Sequence, residues 1–201
     1  MSATRPEWCL DFTDTVDWRT SDHPTDTVPG YGDLVAWSLK EGILTEDEAT
    51  ALGRMAQDDP TTTKEVMKRG RNLREAVYRI FSAVAHRRGV EAYDMDTLNE
   101  VLSKGLEMRM LRPAREGFEW TWKGSLPPDA MLFSLARSAA DLLTSRDLLR
   151  VKECANEEQG CGSLFLDGSK TQTRRWCSMD GCGNRAKFRA YYARQKRLKE
   201  V

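Results

Sequence analysis

CANEEQGCGSLFLDGSKTQTRRWCSMDGCGNRAKFRAYYARQKR, residues 154–197, holds four of the chain's five cysteines. They are spaced Cys154-x6-Cys161-x15-Cys177-x4-Cys182. Four soft thiolates suit a tetrahedral zinc ion, which has no redox chemistry of its own and needs only four-coordination. Between the two pairs, LFLD and TRRW flank Gly168-Ser169 and read as two short strands of a hairpin. After Cys182 the composition is helical. Loop, hairpin, then a helix starting at the last ligand is the order of a treble-clef finger. Four thiolates leave no open coordination position, so one structural zinc ion is expected. It would contribute roughly 10–16 kcal/mol to a segment whose own core is too small to fold without such help. The two histidines, His23 and His86, lie far from this segment and read as surface or capping residues; Cys9 reads as a small buried hydrophobe.

The charge is divided along the chain. Lys and Arg number 31 and Asp and Glu also 31, but residues 151–201 hold 11 basic against 6 acidic residues. Between Lys170 and Lys199 a single acid, Asp180, stands among ten bases. Such a tail suits a polyanionic partner, or docks on the acidic remainder of its own chain. On a helix beginning at Cys182, Arg185, Arg189, Tyr192, Lys196 and Lys199 share an arc of about a hundred degrees. Arg174 and Arg175 precede the third ligand and extend the basic surface. The guanidinium fork matches phosphate and the guanine edge, so Arg174, Arg175, Arg185, Lys187, Arg189, Arg194 and Lys196 are the candidate DNA contacts.

Residues before the cysteines read as mainly α. GDLVAWSLKEG is a short helix closed by Gly42. Thr45 and Glu48 form a capping box for the next. Pro60 opens a long helix with an apolar stripe of Val66, Leu73, Val77, Ile80, Phe81 and Val84, in which Gly70 predicts a bend or a late start. DMDTLNEVLSKGLEM is a further helix. RMLRP and GFEWTWKG form a hairpin with Phe118, Trp120 and Trp122 on one face. PPDAMLFSLARSAADLLTS completes the body. The expected organisation is a helical domain over 1–147 and a zinc finger over 148–201. Apolar runs are too short for a signal peptide or a membrane span, which predicts a cytoplasmic protein with reduced thiols.

The stretch CANEEQGCGSLFLDGSKTQTRRWCSMDGCGNRAKFRAYYAR resembles the CGNR zinc-finger family, through its C-A-N opening, FLD, RRWCSM and Cys182-Gly183-Asn184-Arg185. CLDFTDTVDWR, DLVAWSLKEGIL and LREAVYRIF resemble the ABATE-type domain that accompanies this finger. The usual opening of that domain reads D-F-x-N-T; here Asp14 stands at the Asn place. The resemblance implies a bacterial, stress-linked transcription regulator, with zinc at the four cysteines and DNA contact from the finger. Asn184 is then expected to bond neighbouring backbone, and Arg185 either to touch DNA or to pair with an internal carboxylate such as Asp167.

No nucleophile elbow, phosphate loop, H-E-x-x-H or dinucleotide fingerprint is present, so an enzyme is not expected. Asp11, Asp14 and Asp17 lie three apart and read as caps or as partners of arginines such as Arg74. Trp8, Asp11, Trp37 and Arg74 are the candidate lining of a small-molecule effector pocket. A homodimer would double the DNA contacts. The competing reading is a protein-interaction module whose zinc is purely structural.

Overall fold

The computed structural model describes residues 5–199, apart from the side chains of Glu157, Arg197 and Lys199. Helix α4, Pro60–Ala85, is its axis. Asp59 caps its start by accepting from the amide of Thr62, and Pro60 occupies the first turn, where no amide hydrogen is needed. Val66, Leu73, Val77, Ile80 and Phe81 form the predicted stripe and are almost wholly buried; Val84 is half-buried. Each such side chain contributes about 1.5–3 kcal/mol. The helix does not start late at Gly70 but runs unbroken through it. That residue faces helix α6, Ala130–Leu143, where an added Cβ would stand 3.3 Å from Leu132.

Four further helices surround this axis: α1, Trp8–Thr13; α2, Tyr31–Lys40; α3, Glu46–Asp58; and α5, Ala92–Glu107. All four pack on α4. Gly42 follows α2 at φ 73°, the left-handed conformation that ends a helix without a Cβ penalty. The Thr45–Glu48 box caps α3 reciprocally, at 2.9 and 3.2 Å. Between β1, Val16–Asp17, and β2, Thr25–Asp26, the chain makes a short excursion against the last quarter of the protein.

The body hairpin is β3, Arg109–Ala114, paired with β4, Gly117–Trp122. Its predicted apolar face is only partly covered. Trp122 packs edge-on against Phe133 of α6, whereas Phe118 is 75% exposed and Trp120 36%. Helix α6 reaches the hairpin at Trp122 and, through Arg137, at Trp120, and the turn end stays exposed.

In the last quarter, β5, Val151–Glu153, pairs antiparallel with β6, Leu164–Leu166. The predicted partner of LFLD, the TRRW segment, forms no strand. Cys154 donates its amide to Ser163, which continues the β5–β6 ladder and leaves TRRW to run alongside as irregular chain. Helix α7, Asn184–Lys199, then follows the last cysteine. The whole is mainly α, with small antiparallel hairpins and a finger of hairpin plus helix. Val151 and Leu164 lie in the same buried cluster as the α4 stripe. None of the described helices is long and apolar enough to cross a membrane.

Two of the helical glycines, Gly53 and Gly105, predict opposite outcomes. A Cβ on Gly105 would fall 1.7 Å from the Phe133 ring, so Gly105→Ala should cost about 1–3 kcal/mol through overpacking. Gly53 has nothing within 4 Å of its added Cβ, so Gly53→Ala should stabilise by about 0.5–1 kcal/mol. Thermal unfolding midpoints that moved in the same direction would contradict this packing.

Candidate metal centre and its basic helix

The thiol sulfurs of Cys154, Cys161, Cys177 and Cys182 all lie within 4.8 Å of one another. Three of the separations are 3.7 Å (Cys161–Cys177), 3.7 Å (Cys177–Cys182) and 3.5 Å (Cys161–Cys182). A tetrahedron with zinc–sulfur bonds of about 2.3 Å has sulfur–sulfur edges of about 3.8 Å. The cluster therefore has the size of one ZnS4 unit, and one structural zinc ion fits it with no position left for substrate.

Local structure places each ligand. Cys154 follows β5 and Cys161 precedes β6, so the first pair closes the finger hairpin. Gly160 and Gly162, at φ 70° and 64°, shape that knuckle and let it lie on residues 19–21. A Cβ on Gly160 would stand 2.4 Å from the Ser21 nitrogen. The amides of Arg19 and Thr20 donate to the carbonyls of Cys161 and Gly160 at 3.2 and 3.1 Å. Cys182 sits in a single wide turn, Met179–Gly183, whose start Ser178 caps through the Gly181 amide. Helix α7 begins two residues after this ligand, at Asn184. Hydrogen bonds from the Cys154 and Cys177 thiols pull Cys161 below the ordinary thiol range. Zinc ionises all four by its own charge.

The sulfurs carry a polar shell. The Cys177 amide donates to Cys154 Sγ at 3.4 Å, and Ser163 Oγ lies 3.3 Å from Cys161 Sγ. Asn156, fully buried, donates through Nδ2 to Cys182 Sγ at 3.3 Å. Its Oδ1 accepts from Arg189 of α7 at 2.5 Å, and Arg189 also pairs with Glu158 at 3.1 Å. Sequence reasoning did not single out Asn156 for this role. Its signal was its place as the third residue of the C-A-N opening, two residues after the first ligand.

A second polar node lies beside the centre. Asp167 is buried and receives Lys152 Nζ at 2.6 Å, the hydroxyl and amide of Ser169, and the Arg174 amide. Burial raises its carboxyl pKa, but these donors outweigh it and hold the carboxyl well below the usual range. Lys152 occupies the place expected of Arg185. The Arg185 guanidinium lies instead 4.6 Å over the ring of Trp18, at the contact with the body. Asn184 bonds nearby backbone as expected, at 3.5 Å to the Asp180 carbonyl.

The candidate DNA contacts fall into two groups. Arg174 lies 4.6 Å over Phe165 and donates to the carbonyls of Trp176 and Cys177; Arg175 lies over Trp176. Arg185 and Arg189 face the protein, so the predicted arc is turned inward over its first two turns. Lys187, Tyr191, Arg194 and Leu198 form the opposite stripe at i, i+4, i+7 and i+11, and all four are exposed. Tyr191 and Leu198 do not pack on the hairpin. Lys196 and Tyr192, on the inward arc, lie far enough along α7 to be exposed as well. Lys199, placed on the same arc, has its side chain outside the described residues.

In the body, the four candidate pocket residues do not line one cavity. Trp8 is buried, donates to the Glu41 carbonyl at 3.0 Å, and borders a cleft of about 410 Å³ that Asp11, Trp37 and Arg74 do not reach. Burial, then Glu41, pushes Asp11 up to about 6. Trp37 packs on Phe12 at 5.5 Å. Arg74 is buried in a two-pronged pair with Asp26, at 2.9 and 2.6 Å, and also donates to Thr15. Asp14 touches the finger directly, its carboxylate accepting the Leu164 amide at 3.1 Å.

Two tests follow from this centre. Asn156→Ala should weaken zinc about 10- to 100-fold, read in competition with a chromogenic chelator. Burial pushes the Asp14 carboxyl up to about 8, against the Leu164 bond that lowers it. Between pH 4 and 8 the folded chain therefore keeps a proton that the unfolded chain has released, and this site's contribution to stability falls as pH rises. Asp14→Asn keeps an acceptor for Leu164 without the charge. Its unfolding midpoint should match the parent near pH 4 and exceed it increasingly up to pH 8.

Comparison with known families assigns both halves. Residues 7–146 match the ABATE family model, described as "putative stress-induced transcription regulator". Residues 150–195 match the CGNR zinc finger. Neither family is an enzyme type. No curated protein matches the chain. With the family model covering more than two-thirds of its length and a four-thiolate finger following, the chain belongs to the ABATE family and carries a CGNR zinc finger behind that domain.

Proposed function

We propose that the protein is a non-enzymatic, cytoplasmic transcription regulator that binds DNA through the finger, residues 148–201, while the helical body, residues 1–147, senses a small molecule. One observation carries the DNA reading. The exposed charge of the finger is mostly basic. Glu153 is held by Tyr78 and Ser82 of α4, at 3.0 and 2.7 Å, and Asp167 by Lys152. Among the described side chains its exposed acids are Glu158 and Asp180, against exposed Lys170, Arg174, Arg175, Arg185, Lys187, Arg194 and Lys196. Such a surface suits the phosphate backbone, which supplies most non-specific affinity.

The body adds cations at the same edge. A groove of about 350 Å³ is bordered by Arg174, Arg175 and Thr173 on the finger and by His86 at the end of α4. Arg87 and Arg88 follow His86 and are exposed. Within this reading, Arg175, Lys187 and Arg194 contact phosphate. Arg185 and Arg189 hold α7 in place. Tyr191 and Leu198, on the same stripe as Lys187 and Arg194, lie where base edges or methyl groups would be met.

The exposed Phe188, Tyr191, Tyr192 and Leu198 also favour a second reading, in which α7 docks on another protein and zinc only shapes the finger. A salt titration of the zinc-loaded protein on random duplex DNA separates the two. Neutralising about four to six phosphates should give a slope of roughly −4 to −5 in log affinity against log salt. A homodimer engaging both fingers would steepen it. Absent or salt-independent binding by folded, zinc-loaded protein would sink the DNA reading and leave the protein-docking one.

A further inference from the structure

Two buried donors, Arg69 Nε and Trp122 Nε1, have no acceptor among the described residues. Both belong to residues that border one cavity of about 500 Å³, enclosed by α4, α5, α6 and the end of β4. Native proteins satisfy nearly all such groups, and an exception calls for a partner. The volume lies within the range of small-molecule sites, roughly 300–1,000 Å³. This cavity is separate from the zinc centre and from the cleft beside Trp8.

Its walls are held by packing. Gly105 gives α5 a bare backbone against which the Phe133 ring lies. Phe133 meets Trp122 edge-on at 6.1 Å, and the Arg109 guanidinium covers the Trp122 ring at 3.5 Å. The indole is thereby fixed on two sides.

The charges select the ligand. Four acids and two bases border the cavity. Arg69 is taken by Asp129 at 2.7 Å and Lys104 by Glu100 at 2.6 Å. Asp96 and Glu107 remain, with no ion pair among the described residues. One turn before Asp96 on α5 stands Tyr93, 70% exposed at the rim. An aromatic face beside an unpaired carboxylate is the chemistry that holds an ammonium group.

We infer that this cavity binds a lipophilic, weakly basic heteroaromatic molecule. Its rings lie against the Phe133 wall, its acceptor atoms receive hydrogen bonds from Trp122 and Arg69 once these closed-off donors turn toward the cavity, and its ammonium group lies toward Tyr93 and Asp96. Trp122 Nε1 and Asp96 fix the two ends of the ligand and exclude anions. That the site serves as the effector site rests on the regulator reading above; the binding itself does not.

Quinine is a suitable probe, with a quinoline ring, acceptor atoms and an amine that is cationic at pH 7. Its fluorescence is titrated with the full-length, zinc-loaded protein without DNA, beside the anionic naphthalene dye ANS. Saturable one-to-one binding of quinine is expected, with ANS at least about 10-fold weaker. Trp122→Phe keeps the ring and removes the donor, and should weaken quinine about 5- to 10-fold. Asp96→Asn, on an exposed position, should weaken it about 3- to 5-fold. Both variants should unfold at the parent's temperature. No saturable binding, equal affinity for ANS, or quinine affinity unchanged in both variants would overturn the inference. Repeating the DNA salt titration with saturating quinine tests the effector role separately. A protein that binds quinine but not DNA refutes the regulator reading and leaves the cavity assignment standing.

Discussion

Four sulfurs held within 4.8 Å of one another are a demand for a cation. As thiols they form a poor hydrogen-bonding cluster, and as thiolates without metal they repel. Zinc turns this conflict into the strongest cross-link in the last fifty residues. Everything local depends on it: the first pair closes the β5–β6 hairpin, the third ligand draws in the irregular TRRW segment, and the fourth starts α7. The hairpin has only three residues per strand and could not hold its own register. Around the metal, Asn156 and the Asp167–Lys152 pair finish the work by satisfying groups that the small core cannot shelter.

How much of this was legible in the sequence depended on range. The α4 stripe, the Thr45–Glu48 box, the Gly42 stop and the cysteine spacing are local signals, and they led to the right elements. The strand pairing of the finger was not legible, because chain on either side of LFLD could pair with it and the packing of Val151–Glu153 against α4 decides between them. Arg185 likewise offered a plausible internal carboxylate, but Lys152 reaches Asp167 from the adjacent strand. Gly70 read only as a helix weakness, and Gly105 was not singled out. Each proved to be a point where a neighbouring side chain comes close to the backbone, which no single-helix rule detects. Trp122 and Arg69, 53 positions apart in the chain, could be joined into one cavity only by the packing of α4 against α5 and α6.

The junction between body and finger is part of the core. Val151 and Leu164 enter the cluster centred on α4, Asp14 takes the Leu164 amide, and Glu153, next to the first ligand, is gripped by Tyr78 and Ser82. The two halves therefore gain stability from each other, and the finger lacks the closed surface of a domain that folds apart. Residues 19–21 press on the knuckle between the first two ligands so closely that glycine is needed at Gly160.

Helix α4 passes without a break from Arg69, at the cavity, to Ser82, at the finger. The thirteen residues between them span about 20 Å. An unbroken rod of that length works as a lever: a tilt of about 5° at one end displaces the other by about 1.7 Å. That is comparable to the reach of a hydrogen bond. Geometry alone thus makes the grip on Glu153 sensitive to whatever presses on the opposite end of the helix.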